Sequence, residues 1–142
     1  MKRVGVVLAM LIAVTASGQD TAKEGKAMEG KWTPKSAEVA GQKLPEAQLK
    51  SITLELGKGT YTVTVGEAVD KGTVKIDAAA KPKTRDIVGT DGPNKGKTIL
   101  AIYEFKDDTL RVCYDLSGKS RPKDFVSSKE QPYFIAVYQR AK

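Results

Sequence analysis

The side chains available for chemistry in this chain are carboxylates, lysines, arginines and tyrosines, because histidine is absent and cysteine occurs once, as Cys113. That inventory removes the Ser/His/Asp and Cys/His nucleophilic arrangements, every His-bearing zinc site and any disulfide within the chain. An enzyme made from what is left needs a strongly perturbed Glu or Lys as its base. The 17 Asp and Glu residues include the adjacent pair Asp107-Asp108. That pair falls at a hairpin tip, where Asp serves turn geometry, and no Asp-x-Asp-x-Asp-Gly calcium loop occurs. Nothing marks two acids held about 5–10 Å apart in a cleft for glycoside hydrolysis. The chain is therefore read as not an enzyme, with no metal and no cofactor.

Lysine and arginine number 24, for a formal net charge of +7. Lys81, Lys83 and Arg85, then Lys95 and Lys97, then Lys119, Arg121 and Lys123 lie in three loop-rich places. Folding can gather them into an anion-attracting patch or scatter them over the surface, and scatter is the reading taken. No aromatics interleave these stretches to stack bases, so nucleic acid is not an expected partner. Gly92 to Lys97 superficially suggests a phosphate loop, but no helix follows to supply its amino terminus.

Arg111, Cys113 and Asp115 alternate with Leu110, Val112, Tyr114 and Leu116, which sends the two sets to opposite faces of one strand. With the apolar set inward, Arg111 is a solvated charge, and this is the default. With the polar set inward, Arg111 becomes an anchor for an acidic ligand group, beside Asp86 or Glu104. Cys113 inside such a strand reads as an inert, half-buried thiol.

The elements that must position these residues are strands. A chain of 142 residues, 40% hydrophobic and 29% charged, is one packed domain. Residues 1–16 carry Lys2 and Arg3, an apolar run from Val4 to Val14 and a small-residue end at Ala16, the form of a secretory signal peptide. The run is too short for a spanning helix, which needs about 20 residues, so no transmembrane segment is expected after processing. The expected location is periplasmic or extracellular. Residues 17–29 read as a linker or a short helix to Met28, and 30–142 as the folded domain.

From Trp32 onward the pattern has a period of two, and Gly, Asp, Asn and Pro punctuate it. Strands are expected from Lys31 to Glu38, Ile52 to Leu56, Thr60 to Val65, Gly72 to Asp77, Thr84 to Gly89, Thr98 to Phe105, Thr109 to Leu116 and Tyr133 to Arg140, eight in all. Thr98 to Phe105 is apolar on both faces, as a strand covered on both sides would be. Pro45 to Leu49 suits a single helical turn. Short turns favour antiparallel neighbours, and eight such strands can close into a meander barrel that leaves no exposed edge. A β-sandwich is the rival, with the irregular stretch Ser117 to Pro132 as a Greek-key crossing.

Gly30-Lys31-Trp32 on the first strand and Arg140 on the last resemble the lipocalin-like barrels, in which a Gly-x-Trp tryptophan closes the barrel floor and a late arginine packs across its indole. A wider string covers nearly the whole domain: Gly41-Gln42-Lys43-Leu44-Pro45, Gly72-Thr73-Val74-Lys75-Ile76-Asp77, Gly92-Pro93-Asn94-Lys95-Gly96-Lys97-Thr98, Ala101-Ile102-Tyr103-Glu104-Phe105, Asp108-Thr109-Leu110-Arg111-Val112-Cys113-Tyr114 and Arg121-Pro122-Lys123-Asp124-Phe125. It resembles an exported planctomycete-type domain of unknown function with a lipocalin-like fold. What this implies is architecture: an all-β, eight-stranded antiparallel meander barrel, with Gly30, Trp32 and Arg140 as its closure.

Tyr61, Tyr103, Tyr114, Phe134 and Tyr138 are then core or cavity lining, since eight strands leave room for packed side chains or one small ligand. The leading expectation is a monomeric binder of a small apolar or amphipathic molecule. Tyr61, Val63, Tyr103 and Tyr114 supply contact area, and Arg85 or Arg111 fixes a polar end. The alternative is a cell-envelope interaction or structural module with a solid core, meeting protein or an anionic polymer through the loops Asp91 to Lys97 and Ser117 to Pro132.

Overall fold

The computed structural model describes residues 20–141. The signal peptide expected over 1–16 lies outside the described residues. A helix over residues 20–27 (α1) leads into strand β1, Gly30–Val39, and the short strand β2, Gln42–Lys43. One helical turn, α2 (Glu46–Lys50), starts after Pro45, whose fixed φ of −61° suits the helix entrance. Then follow β3 (Ile52–Gly57), β4 (Thr60–Val65), β5 (Ala68–Asp77), β6 (Lys83–Asp91), β7 (Thr98–Lys106), β8 (Thr109–Asp115) and β9 (Phe134–Arg140).

Apart from β2, each strand pairs with the next in sequence order, and β1 returns to pair with β9. The seam runs antiparallel from Trp32↔Arg140 to Val39↔Phe134. That pairing closes an eight-stranded meander barrel and excludes the sandwich, whose two sheets would need open edges. Ser117 to Pro132 is accordingly not a crossing, because β8 pairs directly with β9. The eight expected strands are all present. Two details differ from the sequence reading: β2 is an extra strand, and the strand expected from Gly72 begins at Ala68.

Turn chemistry sets the register. Asp107 and Asp108 both take positive φ, 53° and 57°, as a two-residue hairpin turn requires. On β5 the ladder slips between Lys71 and Gly72. A Cβ on Gly72 would lie 2.0 Å from the Val88 carbonyl oxygen, so only glycine lets β5 and β6 approach there. A second slip, between Pro34 and Ser36, accommodates a proline that has no N–H to give the ladder.

Alternation puts Trp32, Leu54, Leu56, Tyr61, Ile87, Ile99, Ala101, Tyr103, Leu110, Val112, Tyr114, Ala136 and Tyr138 in one interior core. Side chains of this kind gain roughly 1.5–3 kcal/mol each when taken out of water. On the outer face of β7–β9 a second cluster, Ile102, Cys113 and Ile135, lies under Phe125 and Tyr133 from the loop between β8 and β9. This cover explains why Thr98 to Phe105 is apolar on both faces. Arg121 pins the loop by donating to the Ala101 carbonyl at 2.9 Å and pairing with Asp86 at 2.6 Å.

Two ends of the barrel follow from strand direction. The lower end holds the start of β1, the β3–β4 and β7–β8 turns and the end of β9, and α1 packs across it. Glu24 accepts from the Tyr103 hydroxyl at 2.6 Å and from Lys83 at 2.8 Å. Trp32 Nε1 donates to the Met28 carbonyl at 2.9 Å. At the upper end β1 and β3 diverge after three paired positions. Leu44 and Leu49, beside and within α2, pack against the core across that gap.

Candidate ligand-binding cavity

The barrel interior is not filled at its upper end. A chamber of about 290 Å³ lies among Leu54, Tyr61, Val63, Ile87, Ile99, Tyr114 and Tyr138, and reaches Ile52, Val65, Leu116 and Phe134 at the upper strand ends. Val65 and Leu116 are about half exposed, at 48% and 49%, and give the mouth an apolar rim. The strand period of two is what aims these side chains inward: Leu54 opposes Val63, and Tyr114 opposes both Ala101 and Phe134.

Polar groups enter this apolar chamber at three points, and two of them are internally satisfied. Asp70 accepts from the Tyr61 hydroxyl at 2.8 Å, the Asn94 amide side chain at 2.9 Å and the Asn94 backbone N–H at 2.9 Å. The hydroxyls of Tyr114 and Tyr138 meet each other at 3.1 Å. Burial raises the pKa of Tyr61, with the Asp70 hydrogen bond adding to it. Burial likewise raises Tyr114 and Tyr138, against the lowering effect of the nearby Arg85 charge. All three stay protonated as hydroxyls at neutral pH.

Arg85 is the third point and is not satisfied. It is 1% exposed, and among the described residues its Nε and Nη1 have no hydrogen-bond partner. Its inward direction is fixed by β6, where Arg85 opposes Ile76 on β5 and Ala101 on β7. Arginine side chains keep their charge in proteins. A buried charge without a partner costs several kcal/mol, so it persists where something else compensates it.

Of the residues singled out in the sequence, Tyr61, Val63, Arg85 and Tyr114 are brought together on this chamber. Tyr103 is fully buried inside the barrel, but its hydroxyl is committed to Glu24 at the lower end, outside the upper chamber. Arg111 is not brought in. It projects from the outer face, ion-paired to Glu104, with its guanidinium carbon 4.0 Å from the Phe125 ring centroid. The apolar set of β8 points inward, so the default reading of that strand holds and Arg111 is no anchor for an interior ligand. Gly30, Trp32 and Arg140 do meet at the barrel closure. Gly30 has φ 130°, and a Cβ there would lie 3.0 Å from Arg140 Nη1.

Asp70 and Asn94 also line the chamber, and the sequence did not single them out. Asp70 is hidden because the apparent strand starts at Gly72, whereas β5 runs back to Ala68 with its alternation intact, which puts Asp70 on the inward face with Gly72, Val74 and Ile76. Asn94 lies in the turn between β6 and β7. No grouping of three or more His, Cys, Asp or Glu side chains suited to a metal ion occurs among the described residues.

The described residues thus define a closed antiparallel β-barrel with an apolar chamber at one end, bordered by the buried Arg85 guanidinium whose Nε and Nη1 have no partner. No protein-family model matches the chain, and neither the curated proteins nor the solved structures include a significant match to it.

Proposed function

We propose that this protein is an exported, non-catalytic carrier of a small amphipathic anion. The chain of the ligand lies against Val63, Ile87, Ile99 and Tyr114, and its acid group is neutralised by Arg85. The observation that carries this reading is the Arg85 guanidinium, 1% exposed and without a partner on Nε and Nη1, bordering an apolar chamber of about 290 Å³. A carboxylate can accept a charge-assisted hydrogen bond from either of these nitrogens, which offsets part of the cost of burying both charges. The signal-peptide pattern of residues 1–16 and the resemblance to exported lipocalin-like domains support the exported setting. The rival interaction module requires a solid interior, and the open chamber weighs against it.

Native mass spectrometry of the protein purified from its own host tests the reading. An acidic adduct of a few hundred daltons is expected on the wild type, and its loss on Arg85→Met. A folded wild type that carries no adduct and binds no added medium-chain carboxylate overturns it.

A further inference from the structure

Arg85 borders a second cavity as well. Beneath it, between α1 on one side and the β3–β4 turn and β5 on the other, is a crevice of about 590 Å³. Leu56, Val74, Ile76 and Met28 make its wall apolar, and Lys26, Lys58 and Lys75 line its outer parts. The crevice is held open by how α1 is fastened. The helix segment is fixed along the far side of the barrel, by Glu24 to Tyr103 and Lys83, by the Ala27 and Glu29 carbonyls to Arg140, and by the Met28 carbonyl to Trp32. Toward β5 the fastening is a single hydrogen bond at its edge, from the Ala78 N–H to Thr21 Oγ1 at 3.2 Å.

We propose that this crevice is a second ligand compartment, taking the hydrocarbon chain of an amphipathic carboxylate whose acid group sits on Arg85. The proposal rests on the reading of Arg85 as an anion anchor and adds where a longer chain goes. Small-molecule cavities span about 300–1,000 Å³. The upper chamber lies at the lower edge of that range and the crevice well inside it, so a chain too long for the first is accommodated by the second. Its apolar wall suits methylene groups, and three lysines against the one carboxylate of Glu29 leave the lining net positive, the sign that attracts an anion.

Dodecanoate is the probe, added below its micelle-forming concentration and measured by calorimetry on the full protein, with dodecanol as the uncharged control. Gly25→Leu places a side chain in the crevice, where a Cβ on Gly25 would stand 3.6 Å from Ile76 Cδ1. Val63→Phe narrows the upper chamber instead. Gly25→Leu is expected to weaken dodecanoate at least tenfold, dodecanol to bind at least tenfold more weakly than dodecanoate, and Arg85→Met to remove the difference between them. An amide NMR titration of the unsubstituted protein gives an independent readout, with shifts expected at Gly25, Leu56, Val74 and Ile76. Loss of binding in Val63→Phe, with Gly25→Leu unaffected and no shifts at those four amides, overturns the crevice and leaves the upper chamber standing. A wild type that binds no dodecanoate overturns both.

Discussion

The guanidinium carbon of Arg140 lies 4.2 Å from the centroid of the Trp32 indole, and the two residues are register partners across the β1–β9 seam. The same guanidinium donates to the Glu29 carbonyl at 2.7 Å and to the Ala27 carbonyl, and reaches Asp108 at 3.4 Å. One side chain therefore ties the first strand, the last strand, a hairpin tip and the end of α1 together.

Arg140→Ala removes the stacked cation and both backbone hydrogen bonds. The expected loss is about 1–3 kcal/mol of unfolding free energy, read by urea denaturation with Trp32 as the sole tryptophan reporter. Arg140→Lys should recover less than half of this, because an ammonium cannot offer a planar fork to two carbonyls while lying flat on an indole. Equal stability of wild type and Arg140→Ala would show that the seam closes on backbone pairing alone.

Arg85→Met is expected to stabilise the ligand-free protein by about 1 kcal/mol or more, since a buried charge without a partner is replaced by an apolar chain of similar length. Thermal denaturation of delipidated protein is the measurement. A fall in the melting temperature would mean that the guanidinium has a structural partner and is not held in reserve for an anion.

The Trp32–Arg140 closure was legible through the resemblance of Gly30-Lys31-Trp32 and Arg140 to the lipocalin-like barrels, which names the two residues that meet at the seam. The strands of the barrel were legible for a different reason: Ile52 to Leu56, Thr60 to Val65 and Thr109 to Leu116 alternate cleanly. The inward-facing arginine was narrowed to Arg85 or Arg111 and no further. Alternation places the two residues on a face, but which face is inward depends on what the neighbouring strands bury, and only the cross-strand partners of β6 and β8 settle that. Asp70 stayed hidden because a charged residue beside Lys71 gives no apolar signal, and the pairing of Ala68 to Lys71 with β4 is what extends the strand back to it. The crevice depends on where α1 is fastened, which no local pattern encodes.

Asp115 is a buried carboxylate whose pKa is lowered. Burial by itself pushes it up, but hydrogen bonds from the Ser117 hydroxyl and from the backbone N–H groups of Ser120, at 2.8 Å, and Ser117, at 3.0 Å, outweigh that. A lowered native pKa contributes stability that is present above the unfolded value, about 3.9, and is lost as pH falls through the native value. Asp115→Asn is therefore expected to cost about 1–2 kcal/mol at pH 7. The gap to wild type should close in urea titrations below about pH 4. A gap independent of pH would assign the effect to turn geometry instead of charge.

Cys113 is buried beneath the β8–β9 loop, with its Sγ 3.6 Å from the Asp124 carbonyl oxygen. Burial is the main reason its pKa is pushed up to about 11. In the folded protein the thiol should resist iodoacetamide at pH 8 for hours, and in urea it should react completely within minutes. Mass spectrometry of the alkylated chain distinguishes the two, and rapid native labelling would show that the loop lifts.

The loop carrying Pro122, Phe125 and Tyr133 reinforces only part of the circumference. Behind β7, β8 and β9 the wall is two layers thick, whereas β3, β4 and β5 stand between the interior and water as a single layer. Amide protons of the thin arc are therefore expected to exchange with solvent ahead of those on the sheathed side. That same arc borders both the upper chamber and the crevice, so it is the wall the two cavities share.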